Sequence, residues 1–444
     1  MSDLAKLRRQ PGYSLFYATA TVTRLADEML GVGVVLLILD RTDSAALAGL
    51  TIAAVTLPSI VTGPLIGAWL DRSPSRRRLM IVDQVLAATT VLLLVLLAGN
   101  APNFVLPLVA LLAGITWPLS FGGFTSLIPV IVPDRLLAQA NALEATSFNI
   151  AIIGGPALAG TLCALFSPEA SLVTEAALTL AVIGLIARIP AMDREPERAP
   201  RPLGEIVRDG LGHLARTPAL RGVSVAAALS LGGLGLLTVA FPFFAVDHLG
   251  VDRSAAGFLW SSFALGSMLG AMLLVRVHRI WRPERIMLVA MFGVGTLMLT
   301  WPFADTLLVA MGLIALTGFV DGPGLAATFG ARQAWTPPHL LGQIFTTAVS
   351  MKVGALSLGA AVAGPAVVTL GAGGTIAVAA CLQFAGVAIG LALGAWRGAG
   401  ARVEPEEPEL LASAARLDLQ QDDAVDDHRD REGDRPAVQV ALDE

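Results

Sequence analysis

Few residues of this 444-residue chain can do chemistry, because 15% are charged and 55% are hydrophobic. Those of interest stand inside long apolar runs. Arg24, Asp27 and Glu28 interrupt the first run, and the spacings i, i+3 and i+4 put both acids beside the arginine. An ionisable group at membrane depth costs at least ~2.5 kcal/mol, so it faces a cavity or a partner. The cluster therefore reads as a cavity site where a carboxylate exchanges protons or meets a cation. The alternative is a self-neutralised pair that fixes helix packing. A second candidate is Asp321 within Gly318-Phe-Val-Asp321-Gly322-Pro323-Gly324. Its glycines and proline are expected to loosen or kink a helix, and a deep carboxylate at a break suits an ion or solute. Alternatively Asp321 pairs with Lys352, the one lysine besides Lys6. Glu144 and Asp83 read as structural, near the arginines at 76–78. Glu175 is expected near a run end, where solvation is easy. Trp117, Trp260, Trp301, Phe121, Phe124 and Phe244 could stack on an apolar compound, although single aromatics in such runs usually serve packing.

Other chemistry is missing. The five histidines, His213, His248, His278, His339 and His428, show no metal-ligand spacing. There is no P-loop, nucleophile elbow or zinc-protease helix, so neither an enzyme, a metal site nor a cofactor is expected. No basic soluble module suggests a nucleic-acid partner. Cys163 and Cys381 lie in apolar runs and read as small hydrophobes.

The elements that must position these groups are membrane spans, each of roughly 20 mostly apolar residues. They are predicted near 14–39, 46–70, 79–98, 104–130, 136–166 and 170–189, then near 219–246, 255–276, 285–303, 306–331, 340–369 and 372–396. Six plus six helices make an all-α membrane protein. Of the 30 lysines and arginines, 26 then fall on the side of the N-terminus, and only Arg41 and Arg253 in the opposite loops. By the positive-inside rule both termini are cytoplasmic. The organisation predicted is a bundle over 1–189, a linker with an interfacial helix over 190–218, a second bundle over 219–397 and an acidic, disordered tail over 398–444. The net charge of -5 averages basic inner loops against that tail.

The halves echo one another at about 200 residues, as an internal repeat would. Gly63 and Gly67 match Gly266 and Gly270, and Gly155-Pro156 matches Gly364-Pro365. The break after span 2 reads Gly67-Ala-Trp-Leu-Asp71-Arg72-Ser-Pro-Ser-Arg76-Arg77-Arg78. Asp71 sits at a helix C-terminus, where the macrodipole disfavours a carboxylate. Nearby arginines, or the N-terminus of span 11 at Thr336-Pro337-Pro338, would compensate it, which makes a latch between halves plausible.

The elbow from Gly67 through Asp71-Arg72 to Arg76-Arg77 resembles the signature loop of the major facilitator superfamily, with one extra residue before the double arginine. Gly154, Gly155, Pro156 and Gly160 in span 5 resemble the antiporter motif of its export branches, with Ala151 where a glycine is usual. Asp43-Ser44-Ala45 and Ala140-Asn141-Ala142-Leu143 resemble the drug, macrolide and siderophore exporter subgroup. No arginine stands in span 4, a departure from some proton-coupled branches. The resemblance implies two pseudo-symmetric six-helix bundles, a cavity lined mainly by helices 1, 4, 7 and 10, and alternating access gated by Gly67, Asp71, Arg72, Arg76 and Arg77. It implies an inner-membrane, ion-driven exporter of hydrophobic or amphipathic small molecules, with Arg24, Asp27, Glu28, Asp321 and Lys352 at the cavity or in coupling. Its partners would be the small-molecule substrate, protons or other ions and the bilayer, and the chain would act as a monomer. The alternatives are an importer on the same scaffold and a membrane sensor or assembly factor.

Overall fold

In the computed structural model the described residues are 7, 10–62, 75–119, 124–125, 127–133, 136–189, 212–274, 276–337 and 341–395. Among them the elements are helices and no strand occurs. The main helices are α1 (Tyr13–Thr42), α2 (Ala45–Thr56), α3 (Arg76–Leu97), α4 (Val105–Pro118), α5 (Leu137–Leu165) and α6 (Pro168–Ile186). There follow α7 (Pro218–Phe243), α8 (Ala255–Leu273), α9 (Pro283–Met298) and α10 (Leu307–Ala334). The stretch Leu341–Leu393 is helical but breaks at Gly371, whose φ of 71° suits a residue without a Cβ, so it divides into α11 (341–370) and α12 (372–393). The order is consistent with twelve passages. Nine described helices are long and apolar enough to cross a bilayer.

Local signals set the helix starts. Ser44, Ser167 and Thr306 accept hydrogen bonds from the amides of Leu47, Ala170 and Val309. Pro168, Pro218 and Pro283 open the first turns of α6, α7 and α9, where a missing N–H costs nothing.

Some expected boundaries shift. In the fourth span Val105–Pro118 is helical and Leu119 keeps helical backbone angles, residues 120–123 lie outside the described ones, and a short helix at Ile128–Ile131 follows. The ninth ends at Met298 and passes into a 3-10 turn over Trp301–Phe303, where Pro302 follows Trp301. Segment 63–74, including Gly63, Gly67, Asp71 and Arg72, lies outside the described residues. So do Phe121, linker residues 190–211 and the tail from 396 onward.

Helices alternate between two faces, named here for Tyr13 and Asp43. The described arginines sort accordingly: Arg76, Arg77, Arg188, Arg221, Arg276, Arg282 and Arg285 stand toward the Tyr13 face, while Arg41 and Arg253 stand at the Asp43 face. Large apolar side chains such as Phe303 (80% exposed), Leu308 and Val368 point outward. So many exposed apolar groups suit lipid rather than water.

Within the first half, α1 lies against α5 and α6, and α3 against α4 and α6. Within the second, α7 packs on α11 and α12, and α10 on α8 and α9. The halves meet where α2 crosses α11 and α5 crosses α8. Glycines make these crossings possible. A Cβ at Gly257 would strike the Pro156 carbonyl, one at Gly364 the Ala45 carbonyl, and one at Gly49 the Ala360 carbonyl. Backbones touch directly there, as in small-residue membrane interfaces.

Glycines similarly join α8 to α10. Gly266 and Gly270 face the carbonyls of Ala315 and Phe319, while Gly318 and Gly322 face those of Phe263 and Ser267. The helix carrying Gly322-Pro323-Gly324 runs from Leu307 to Ala334 with Pro323 inside it. Neighbouring backbone, not a gap in the helix, accounts for Gly318 and Gly322.

Candidate functional site

A cavity of about 750 Å³ lies between the halves, on the Tyr13 side of the glycine crossings. Helices α1, α4, α7 and α10 line it, and so do α2, α5, α8, α9 and α11. Most of the wall is apolar. Trp117, Trp260 and Phe329 supply aromatic faces, while Met268, Met287 and Met291 supply polarizable, adaptable ones. Of the other aromatics considered, Trp301 is fully buried and donates to Thr317 Oγ1 at 3.0 Å. Phe124 and Phe244 are also buried, against Phe16 and His248, so all three serve packing.

The three charges of α1 separate. Arg24 is fully buried and turns to α5, where Nη2 pairs with Glu144 and Nη1 donates to Ser147 Oγ at 2.9 Å. Its guanidinium lies 3.9 Å from the Phe148 ring centroid. Thr125 also donates to Glu144, at 2.9 Å, and Thr21 to Ser147, at 2.9 Å. This corrects both the expected Arg24–Asp27–Glu28 cluster and the placing of Glu144 near Arg76–Arg78. An arginine preceding its acid by four residues is the weaker order for a helical pair, and helical side chains lean toward the N-terminus. Arg24 therefore reaches away from the two acids.

Asp27 and Glu28 remain on the cavity wall. Glu28 is half-buried and makes no hydrogen bond or ion pair among the described residues. Asp27 interacts electrostatically with Glu175 of α6. Glu175 is only 2% exposed, contrary to its expected easy solvation. Gly155 lets α5 approach this site, since a Cβ there would press on Glu28 Cβ, and Gly154 faces Leu25. Gly160 faces α8 instead, where a Cβ would lie 2.6 Å from the Ser254 carbonyl oxygen. The antiporter-like motif thus touches a cavity helix in its own half and the crossing helix of the other.

On the opposite wall, Asp321 and Lys352 both line the cavity. Ser267 Oγ donates to Asp321 Oδ2 at 3.4 Å. Lys352 interacts with Asp321 electrostatically but makes no ion-pair contact among the described residues. Arg332, counted from sequence among the basic inner residues, is fully buried in α10. The signal for it was spacing: Asp321 and Arg332 are eleven residues apart, about three turns, and so share a face.

Of the elbow arginines, Arg77 Nη2 donates to the Ile189 carbonyl at 2.8 Å and Arg76 is buried. Asp83 is buried and accepts from Gln84 at 2.9 Å. At the Asp43 face, Arg253 bridges the halves. Its Nη1 donates to the Leu39 carbonyl at 3.3 Å and stands 3.8 Å from Asp43 Oδ1. Asp43 itself caps α1 in the left-handed region at φ 48°, which aspartate tolerates better than most residues. The neighbouring Asp252 carboxyl is held below the usual range by hydrogen bonds from Ser254, its side chain first. Among the described residues no group of three metal-ligating side chains occurs.

Comparison with known proteins follows the same lines. The family model described as transmembrane secretion effector matches residues 1–420. The MFS-type transporter y4rN of Sinorhizobium fredii is 31% identical over 81% of this chain and 89% of its own length. The multidrug efflux pump Tap of Mycolicibacterium fortuitum is 27% identical over 74% and 82%. The enterobactin exporter EntS of Shigella boydii is 24% identical over 82% and 86%. In fold, the nucleoside transporter NupG superposes with a TM-score of 0.66 at 12% identity, covering 85% of this chain and 98% of that one. A bacterial homologue of the iron transporter ferroportin, in an inward-facing state, gives 0.63 at 16% identity, over 86% and 98%. These matches and the helical architecture agree: the chain belongs to the transmembrane secretion effector family of the major facilitator superfamily, and is a multi-pass membrane transporter of small molecules rather than an enzyme.

Proposed function

We infer that the protein is a secondary active exporter of hydrophobic or amphipathic small molecules, driven by an ion gradient. The observation that carries this reading is the cavity between the halves: a wide apolar wall with a carboxylate on it, Glu28, that has no partner among the described residues. The apolar wall accepts varied bodies, and the carboxylate exchanges a proton as access alternates. Asp27 beside Glu175 is a second place for that proton, since ionising both sets like charges together. Efflux by the relatives Tap and EntS supports the direction. The arginine-rich Tyr13 face is the cytoplasmic one, so both termini are inside the inner membrane.

In this reading the glycine crossings and Arg253 seal the outer face while the cavity loads from the cytoplasm. Rocking of the bundle over 1–189 against that over 219–397 would open it outward. The elbow residues Gly67, Asp71, Arg72, Arg76 and Arg77 would then latch the inner face, with 190–218 as tether and 398–444 as an appended tail. The chain acts as a monomer, because one copy contains both walls of the cavity.

Everted membrane vesicles with an imposed pH gradient and a panel of lipophilic dyes test this. Dye accumulation that collapses the gradient, and its loss in Glu28→Gln and Asp27→Asn at unchanged expression, is the expected result. A gradient-driven dye flux that survives both substitutions removes these carboxylates from coupling. No flux for any dye refutes the exporter.

A further inference from the structure

The transport reading uses the acidic wall of the cavity and leaves the opposite wall unexplained. We propose that the α10–α11 wall is an anion-binding subsite, in which Lys352 on the cavity wall, with Arg332 buried behind it, takes the acidic group (carboxylate, sulfonate or phosphate) of the transported compound. This rests on the transporter reading and adds the substrate class to it.

Lysine is scarce in this chain, with two among 30 basic residues. One of those two stands on the cavity wall, where its compact ammonium makes no hydrogen bond or ion-pair contact among the described residues. Arg332 lies one helical turn beyond Thr328, which lines the cavity, and on the face of α10 that carries Asp321. It is fully buried, yet Nε, Nη1 and Nη2 all lack a hydrogen-bond partner among the described residues. The Thr336 hydroxyl one turn further on is buried and unpartnered as well. Lys352 and Arg332 are close enough to repel.

An orientation signal would sit in water, and a structural arginine would be paired as Arg24 is. Two repelling cations with one carboxylate, Asp321, leave the wall one positive charge in excess. A buried cation with five donors and no acceptor is costly, and a bound oxyanion supplies what is missing. The facing wall carries Asp27 and Glu28, so an acidic group is driven to the α10–α11 side. The apolar body then lies against Trp260, Met287 and Phe329. Asp321 competes with the bound anion for Lys352.

The test uses one fluorophore with three charges: dansylglycine (anion), dansylamide (neutral) and dansylcadaverine (cation), titrated into the full chain in lipid nanodiscs. The expected result is carboxylate affinity about tenfold above the neutral amide. Lys352→Gln and Arg332→Gln reduce that preference to within about twofold, Lys352→Arg restores it, and Asp321→Asn strengthens carboxylate binding. Lys352→Gln keeps a polar side chain at a half-buried position, so it reads the subsite even where Arg332→Gln fails to fold. Equal affinities for the three probes, or a preference unchanged in Lys352→Gln, overturn the subsite. Gradient-driven flux of dansylamide without any carboxylate preference sinks the subsite and leaves the exporter standing. Carboxylate preference without flux does the reverse.

Discussion

Arg24 and Arg332 are both fully buried, one in each half, and their surroundings are opposite. Arg24 has a carboxylate, a hydroxyl and an aromatic face, all between α1 and α5. Arg332 has no hydrogen bond to any of its three nitrogens among the described residues. A satisfied buried charge fixes how two helices pack. An unsatisfied one marks a place where something else must bind, because a protein gains nothing by keeping a bare cation out of water. Residue type and burial are the same in the two cases, so neither separates structural charge from functional charge. The partner list does.

The largest effect that would break this comparison is expected at Glu144. Removing one member of a buried ion pair costs about 3–5 kcal/mol, so Glu144→Gln should lower the unfolding temperature sharply in detergent. Joint replacement by Arg24→Met and Glu144→Leu should recover much of that loss. A single variant as stable as the wild type would deny Arg24 its structural role. At the crossings between halves, Gly257→Val should cost about 1–3 kcal/mol and stop transport, because a Cβ there meets the Pro156 carbonyl. Thermal unfolding together with dye flux checks both parts.

Arg332→Met carries the opposite sign. Removing an unpaired buried guanidinium should stabilise the ligand-free protein by about 1–3 kcal/mol while weakening carboxylate binding. A fall in unfolding temperature would mean that Arg332 is held as firmly as Arg24. Smaller still is Arg253→Ala at the Asp43 face, where a half-exposed pair contributes roughly 0.2–1 kcal/mol, less in high salt. Labelling of the cavity from that face should increase.

The smallest effect is pH-dependent. The folded Asp252 carboxyl lies below its unfolded range, so its contribution is present above the ordinary carboxylate value of about 3.9. It is lost as pH falls through the lower, folded value. Ser254→Ala should shrink this acid dependence of unfolding without changing stability at neutral pH beyond the lost hydrogen bond.

Much of the fold was legible because helices in lipid must be about 20 residues long and apolar, and because basic residues sort by side. The break at 371 falls between the expected spans 340–369 and 372–396. The expected fourth span, 104–130, includes the helix Val105–Pro118, while 120–123 lie outside the described residues. Gly266 and Gly270 read from sequence only as repeat counterparts of Gly63 and Gly67, and Gly322 only as part of a helix-loosening Gly-Pro-Gly; in the structure all three admit a neighbouring backbone. A glycine's sequence context does not tell whether it loosens its own helix or admits a neighbour.

The site was legible only by depth. Asp27, Glu28, Asp321 and Lys352 line the cavity. Arg24 does not appear on its wall, and Arg332 went unnoticed because a cation near a span end looks like a topology signal. Glu175, expected near a run end where solvation is easy, is buried beside Asp27. Each depends on which way a side chain turns and which helix lies there.

The sequence by itself determined the solvent of this protein, its all-helical make-up, and the handful of charges that lipid would not tolerate. Composition and period suffice for these, since they follow from the thickness and polarity of the bilayer. Tertiary structure alone decided which of those charges neutralise each other and which face a common space. That choice is made by helices distant in the chain, α1 with α5 and α10 with α11, and neither composition nor spacing along one helix specifies which neighbour a buried side chain will meet.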